Sequence, residues 1–188
     1  GPASVVLDRE GAQAALGRYI AKLGNPVPMR NINGQLQLYV VAVSIGGWAG
    51  SAINAMYSDD LGETWSTPRQ LITTPFLNIS TLVRNAPVFH QDGTIGLPVY
   101  HEMATKFPQI LWFQPGPDGT VEDYKVRNLS ASKGLIQPVL VALGPPLSMA
   151  RVNWSVATAR PAIWCASRNG TSASLTSQSA RSVAVACP

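Results

Sequence analysis

The chain has 188 residues, of which 13 % are charged, and a formal net charge of +4 at pH 7. This length and composition favour one folded domain, or a piece of a larger one, over a disordered chain. No apolar run reaches the roughly 20 residues of a membrane helix, and two cysteines are too few for a disulfide scaffold or a four-cysteine zinc site. The first residues lack the basic and apolar regions of a signal peptide, so the compartment stays open.

The charge is unevenly distributed along the chain. Residues 1–124 carry seven Lys or Arg against ten Asp or Glu, whereas residues 125–188 carry seven Lys or Arg and no acid. A basic half can indicate a nucleic-acid partner, but these cations are spread out without a cluster. We therefore expect no nucleic-acid partner. We also expect no metal and no cofactor, because neither metal-ligand spacing nor a phosphate-binding loop occurs.

One helix is predicted near the N-terminus, over residues 8–23, where apolar residues recur at steps of three and four. Asp8 can cap its start, and Gly24 followed by Pro26 can end it. We therefore assign residues 1–24 to an N-terminal helical segment.

From Pro26 onward the sequence predicts short strands separated by turns. The predicted strands cover residues 35–44, 51–58, 94–102, 108–114, 120–129 and 137–143, with weaker signals at 151–158 and 161–166. Beyond Asn169 the Ser, Thr and Ala content predicts loop or frayed strand. This spacing favours a sandwich, barrel or propeller over β-α-β units.

An internal repeat runs through the predicted strands. Each copy begins with Asn or Gln shortly before a proline, continues with an apolar strand and a glycine turn, and ends with a second strand. The leading prolines are Pro26, Pro87 and Pro138, and the turn glycines are Gly34, Gly93 and Gly144. A period of this size is typical of propeller blades.

Residues 58–65, SDDLGETW, contain the pattern Ser-x-Asp-x-Gly-x-x-Trp at Ser58, Asp60, Gly62 and Trp65. A carboxylate can accept backbone N–H groups across a turn, a glycine can take positive φ, and a tryptophan can fold back onto the strands. The pattern resembles the Asp-box of the sialidase (BNR-repeat) superfamily. It predicts a hairpin turn between the two outer strands of a blade.

The resemblance extends over about residues 16–143 and implies a fold. Members of the family are six-bladed β-propellers, about twice this length, with a glycan-directed site at the axial mouth. We therefore expect an all-β chain holding two to three blades of such a propeller, with a short N-terminal helix. Blades would occupy residues 25–143. Residues 144–188 would form an atypical tail or a degenerate third blade, which truncation or a shifted reading frame would produce.

The resemblance also implies a chemistry. In sialidases three arginines hold the substrate carboxylate, a tyrosine activated by a glutamate attacks the anomeric carbon, and an aspartate acts as acid and base. The candidate catalytic residues here are Arg30, Arg84, Tyr100, His101 and Glu102, and the candidate for stacking on a sugar is Trp48. Each assignment has a structural alternative. Arg30 would be an exposed arginine at a strand end, and Arg84 a cation in a loop. His101 and Glu102 would be a hydrogen-bonded, packed pair, and Trp48 would lie in a flexible connecting loop.

Two functions follow as hypotheses. The first is a glycan-directed, sialidase-like propeller that catalyses exo-glycoside hydrolysis if a complete site is assembled. The alternative is a non-catalytic carbohydrate-binding or oligomer-forming fragment. Because a partial propeller exposes blade flanks, we expect a homo-oligomer that completes the ring, a glycan or glycoside as partner, and no membrane span.

Overall fold

The structure, a computed structural model, describes residues 4–31, 33–74, 77–89, 93–103, 105–116, 121–131, 133–142, 149–155, 163–167 and 172–175. Within these residues lie one α-helix, α1 (Arg9–Leu16), a 3₁₀ turn (Gly47–Gly50) and thirteen strands. The first sheet contains β1 (Lys22–Arg30), β2 (Leu36–Val43), β3 (Ser51–Ser58) and β4 (Arg69–Gln70). The second contains β5 (Thr81–Val83), β6 (Val88–Phe89), β7 (Ile95–His101), β8 (Phe107–Pro115) and β9 (Val121–Asn128). The third contains β10 (Ile136–Ala142), β11 (Met149–Ser155), β12 (Ile163–Ser167) and β13 (Ser172–Leu175).

The strands of each sheet pair antiparallel in chain order. In the second sheet β5 and β6 share the innermost position, because both pair with β7. The inner strands of successive sheets are neighbours, with β1 contacting β5 and β6 contacting β10. This arrangement confirms the predicted fold class, a partial sialidase-like propeller, and the described residues form three of its blades.

The helix is shorter than the sequence predicts. The Asp8 side chain caps its start by accepting the Gly11 N–H at 2.7 Å, as expected. The helix ends at Leu16, because Gly17 takes a left-handed conformation (φ 62°) and donates its N–H to the carbonyl of Gln13. The prediction that the helix continues to residue 23 is therefore wrong, and the chain enters β1 at Lys22 instead.

The three copies of the sequence repeat lie on the inner hairpins of the three sheets, formed by β1–β2, β6–β7 and β10–β11. Gly144, the predicted turn glycine of the third copy, lies outside the described residues. In the second sheet the inner strand is interrupted between β5 and β6. Pro98 of β7 lies opposite that gap, where its missing N–H deprives no partner strand of a hydrogen bond.

The inner strand β1 carries two exposed prolines, Pro26 and Pro28, at alternate positions. Within the described strands β1 pairs with β2 alone. The two prolines have no N–H, so they reduce the number of backbone donors that β1 can offer to a further strand.

Apolar side chains fill the spaces between the sheets. The main core joins the first and second sheets and includes Tyr39, Ile53, Leu97 and Phe113, with the Tyr39 and Phe113 rings edge to face at 6.1 Å. A smaller cluster of Val88, Ile110 and Leu140 joins the second and third sheets. Among the described residues no helix is long and apolar enough to cross a membrane.

Candidate functional site

The sheets have two ends with different contents. We call the end at which β1, β5 and β10 begin the upper end, and the opposite end, where the turn between β3 and β4 lies, the lower end. At the upper end Ser80 joins the first two sheets, since its N–H donates to the Ser51 carbonyl at 2.8 Å and its Oγ donates to the Ala49 carbonyl at 2.6 Å.

The octapeptide SDDLGETW connects β3 and β4 at the lower end, between the two outer strands of the first sheet. The Ser58 hydroxyl donates to Asp60 Oδ1 at 2.7 Å and accepts the Gly62 N–H at 2.8 Å. Asp60 in turn accepts the Thr64 N–H at 2.9 Å and the Thr64 hydroxyl at 2.6 Å. The Trp65 indole N–H closes the turn by donating to the Gly62 carbonyl at 3.1 Å. Gly62 has φ +96°, which a side chain would oppose.

These hydrogen bonds stabilise the charged form of Asp60. Donation from the Thr64 hydroxyl and N–H, followed by that from Ser58, lowers the pKa of Asp60 from 3.8 to about 2. The carboxylate is thus fully engaged within its own turn, and of the candidate catalytic and sugar-stacking residues only Arg30 lies at the same end of the sheet.

Arg30 also lies at the lower end. It pairs with Leu36 at the β1–β2 turn, Leu36 pairs with Ser58, and the Arg30 Nε donates to the Gly34 carbonyl at 3.0 Å. Asn25 lies near the start of β1, at the upper end. At about 3.3 Å per residue, Arg30 is roughly 16 Å along the strand from Asn25. The structure therefore does not bring Arg30 together with the other predicted catalytic residues.

At the upper end, Tyr100 is the centre of a polar cluster. Its side chain is buried, with a residue exposure of 4 %, and burial followed by the negative charge of Glu102 raises the pKa of its hydroxyl. Hydrogen bonds from the side chains of Asn25 and Gln137 and the positive charge of Arg84 act in the opposite direction. We call Asn25, Arg84, Tyr100, Glu102 and Gln137 the axial cluster.

The axial cluster combines residues from the inner part of all three sheets. Arg84, between β5 and β6, is exposed. Glu102 follows β7, and its Oε1 forms an ion pair with Lys106 Nζ at 3.4 Å. A guanidinium, a carboxylate, a phenol and two amides provide the donors and acceptors that bind sugar hydroxyls and carboxylates.

Asn25 and Gln137 are not among the site residues predicted from the sequence, although both belong to the predicted repeat. Both amides immediately precede the leading prolines of their repeat copies, and both residues have positive φ, 49° and 56°. Each lies at a register shift in its inner strand, between Gly24 and Val27 in β1 and between Ile136 and Pro138 in β10. In the second copy the corresponding Asn85 donates from Nδ2 to the carbonyls of Gln137 (3.2 Å) and Pro138 (2.9 Å). The repeat thus places amides where the three sheets meet.

His101 is adjacent to the axial cluster in sequence, but alternation along β7 directs it to the other face of the sheet. Its ring stacks on Phe107 at 4.8 Å, and burial lowers its pKa. Within the described part of the chain, its buried Nδ1 and the buried Oγ1 of Thr81, its partner in β5, both lack a hydrogen-bond partner. His101 is therefore a neutral, packed imidazole near the upper end rather than a member of the cluster.

Trp48 lies in the 3₁₀ turn at the upper end, where the sequence suggested a sugar platform. Its ring packs against Gly24, since a Cβ at that position would lie 2.9 Å from the indole. The Lys22 ammonium lies 4.3 Å from the centre of the ring, in a cation–π contact. A sugar that stacked on the lysine face of Trp48 would therefore have to displace Lys22.

Structures similar to this fold include several sialidases. The Hadza microbial sialidase superposes with a TM-score of 0.70 at 14 % identity, covering 93 % of this chain and 37 % of that one. A protein of unknown function from Dyadobacter fermentans gives 0.64 at 11 % identity, covering 81 % and 50 %. Trypanosoma rangeli sialidase in complex with sialic acid gives 0.60 at 14 % identity, covering 83 % and 29 %. At these identities the likeness shows the fold alone, and the chain spans half or less of the length of each.

The sequence comparisons give the family. No curated protein matches the sequence. Residues 1–171 match the family described as BNR repeat-like domain, which is most of the chain. The three antiparallel sheets, the Asp-box turn and this match agree, and the chain belongs to the BNR repeat-like domain family.

Proposed function

We propose that the chain is a glycan-directed, sialidase-like propeller unit that binds sugar at the upper end, and that it supports exo-glycoside hydrolysis when its site is complete. The observation that carries the proposal is the convergence of Arg84, Tyr100 and Glu102 with amides from two further inner strands. The similar folds of named sialidases support the same class of ligand.

Each proposed role follows from the chemistry of the side chain. The exposed Arg84 guanidinium offers a planar fork to a substrate carboxylate. Tyr100 is protonated at neutral pH, because its pKa is raised. As a nucleophile it would therefore need a base, and Glu102 is the carboxylate whose charge acts on it. Asn25 and Gln137 would position the Tyr100 hydroxyl.

A turnover assay with matched arginine variants tests this proposal. The protein is incubated with a fluorogenic sialoside and a panel of other fluorogenic glycosides. We expect Arg84→Ala and Glu102→Gln each to lose at least about tenfold in kcat/KM, which corresponds to about 1.4 kcal/mol of transition-state stabilisation. Arg30→Ala serves as the matched control and should retain wild-type turnover, because Arg30 lies at the lower end. Equal loss in all three variants would contradict a site at the axial cluster.

A non-catalytic carbohydrate-binding module is the second candidate, and one observation favours it. Tyr100 is buried and accepts hydrogen bonds from two amides. Among the described residues one arginine, Arg84, acts on it through its charge, whereas a sialidase holds the substrate carboxylate with three arginines. Under this alternative, wild-type protein binds sialic acid without turnover of any glycoside. Isothermal titration of wild type and Arg84→Ala with sialic acid distinguishes the two candidates, since binding without turnover supports the module.

We further propose that the three blades associate with a second copy, which would complete a six-bladed ring. The described residues form three sheets, half the number in a six-bladed ring, and blade faces that lack a neighbour favour association. Sedimentation at micromolar concentration should give twice the mass of the chain. A monomer mass across the concentration range would contradict the homo-oligomer.

A further inference from the structure

A cleft between the first two blades lies apart from the axial cluster. It has a volume of about 190 Å³ and opens between the outer strands β3 and β4 of the first sheet and β9 of the second. Its polar and aromatic lining comes from Gln37, Tyr57, Ser66, Arg69, Gln70 and Tyr124. Because Arg84, Tyr100 and Glu102 do not line it, the cleft is a separate candidate site.

The two blades are tied together at this cleft. The Tyr124 hydroxyl of β9 donates to the Ile72 carbonyl, which follows β4. The Ser66 Oγ accepts the Tyr57 N–H at 3.0 Å, so its own hydrogen can still be donated. These contacts position the walls of the cleft.

The lining defines the chemistry of the ligand. Tyr57 and Tyr124 are half-buried, and apolar side chains including Leu71 and Val121 complete the surface. Arg69 and Gln70 add donors at the rim, and the lining residues that the structure describes include no carboxylate. Such a site suits a ring with apolar C–H faces and several acceptor hydroxyls. The volume lies below the roughly 300 Å³ at which pockets for drug-sized ligands begin, and it suits one sugar ring.

We propose that this cleft is a second, non-catalytic carbohydrate site that holds one neutral pyranose unit of a glycan. The inference builds on the glycan-directed function proposed above. In that setting the cleft would hold a distal sugar while the upper end holds the terminal one, on a chain long enough to reach both. Arg69 and Gln70 donate to the ring hydroxyls, and the tyrosines contact its C–H face.

Saturation-transfer NMR with methyl β-galactoside and methyl α-glucoside tests the cleft, using wild type, Arg69→Ala, Gln70→Ala and Arg84→Ala. Arg127→Ala is the matched control, because Arg127 is exposed on β9 and outside the lining. We expect wild type and Arg127→Ala to bind at least one glycoside with the same Kd, and Arg84→Ala reports any part of the signal that comes from the upper end. Arg69→Ala and Gln70→Ala should bind at least fivefold more weakly, and thermal unfolding checks that each variant is folded. If Arg69→Ala is unfolded, Arg69→Lys replaces it, since lysine keeps the charge and loses the fork.

The outcomes separate the two sites. Binding that is lost only in Arg84→Ala would assign the sugar to the upper end and overturn the cleft proposal, while leaving the proposed function intact. Absence of binding by wild type, or equal binding by all variants, would also overturn the cleft. Loss of turnover in the glycoside assay bears on the axial cluster alone.

Discussion

The upper and lower ends of the sheets hold their polar groups in opposite ways. At the lower end the partners of Ser58, Asp60 and Trp65 lie within four residues of one another in the chain. At the upper end Tyr100 finds its partners in Asn25 and Gln137, far away in sequence and on other sheets. Local bonds complete a turn and leave little for a ligand, whereas groups gathered from three sheets create a new surface. The comparison indicates that the lower end stabilises the fold and that the upper end is the place for binding.

The largest expected effect is at the upper end, and it tests how closely the backbone packs in the loop between β2 and β3. A Cβ at Gly50 would lie 1.9 Å from the Ile45 carbonyl oxygen, so Gly50→Ala must displace backbone. We expect the free energy of unfolding to fall by about 3 kcal/mol, measured by chemical denaturation. In the same loop Gly47→Ala meets no atom within 4 Å and should cost about 1 kcal/mol, for its left-handed backbone. Equal costs would show that the loop adapts freely.

The next effect tests whether Tyr100 joins the sheets. Tyr100→Phe removes the oxygen that accepts from Asn25 and Gln137, and we expect a loss of about 2 kcal/mol in the free energy of unfolding. Tyr19→Phe is the control, because Tyr19 is 61 % exposed and its replacement should leave stability unchanged. If Tyr100→Phe leaves the free energy of unfolding unchanged, the hydrogen bonds at the upper end do not hold the blades together.

A smaller effect is expected at the lower end. Ser58→Ala removes the hydroxyl that links Asp60 to the Gly62 N–H, and we expect a cost of about 1 kcal/mol. Glycan binding and turnover should be unchanged, because the turn lies away from the axial cluster. If Ser58→Ala is as fully folded as wild type but binds sugar more weakly, this would contradict the assignment of binding to the upper end alone.

The smallest effect is a pH dependence. The folded-state pKa of Asp60, about 2, is below its ordinary value of 3.8, so this group favours the folded state above pH 4. That contribution is lost as the pH falls toward 2, because the unfolded chain binds the proton more readily. The melting temperature of wild type should therefore fall more steeply between pH 4 and pH 2 than that of Asp60→Asn. Parallel curves for the two proteins would contradict the assignment.

The sequence was informative wherever the structure depends on local signals. The octapeptide predicted its own turn, and the strands predicted at 35–44, 51–58 and 94–102 agree closely with β2, β3 and β7. The strands β5 and β6 have only three and two residues and form by pairing with β7. They are too short to show the alternation of apolar and polar residues from which a strand is predicted. The sequence favours a longer helix because apolar residues keep helical spacing as far as Leu23, whereas the left-handed Gly17 ends the helix at Leu16.

The candidate site was only partly predictable. Tyr100 and Glu102 are polar residues at the end of an apolar strand, which is a local signal, and both belong to the axial cluster. Asn25 and Gln137 join it through bulges and tertiary contacts, which sequence spacing does not define. The Asn/Gln-Pro repeat was nevertheless a usable sign, because three copies on three inner strands must face a common axis. Arg30 was predicted from its place on the inner strand, but that place does not specify at which end of the sheet a residue lies, and Arg30 lies at the lower end.

The paired prolines of β1 have a consequence for how such units can meet. Pro26 and Pro28 have no N–H to offer a further strand, so the free edge of β1 is a poor template for strand addition and for growth into a continuous sheet. Further blades must dock through side chains, flank against flank. Efforts to build larger rings from this unit should redesign the flanks of the terminal blades and leave the proline-bearing edge unaltered.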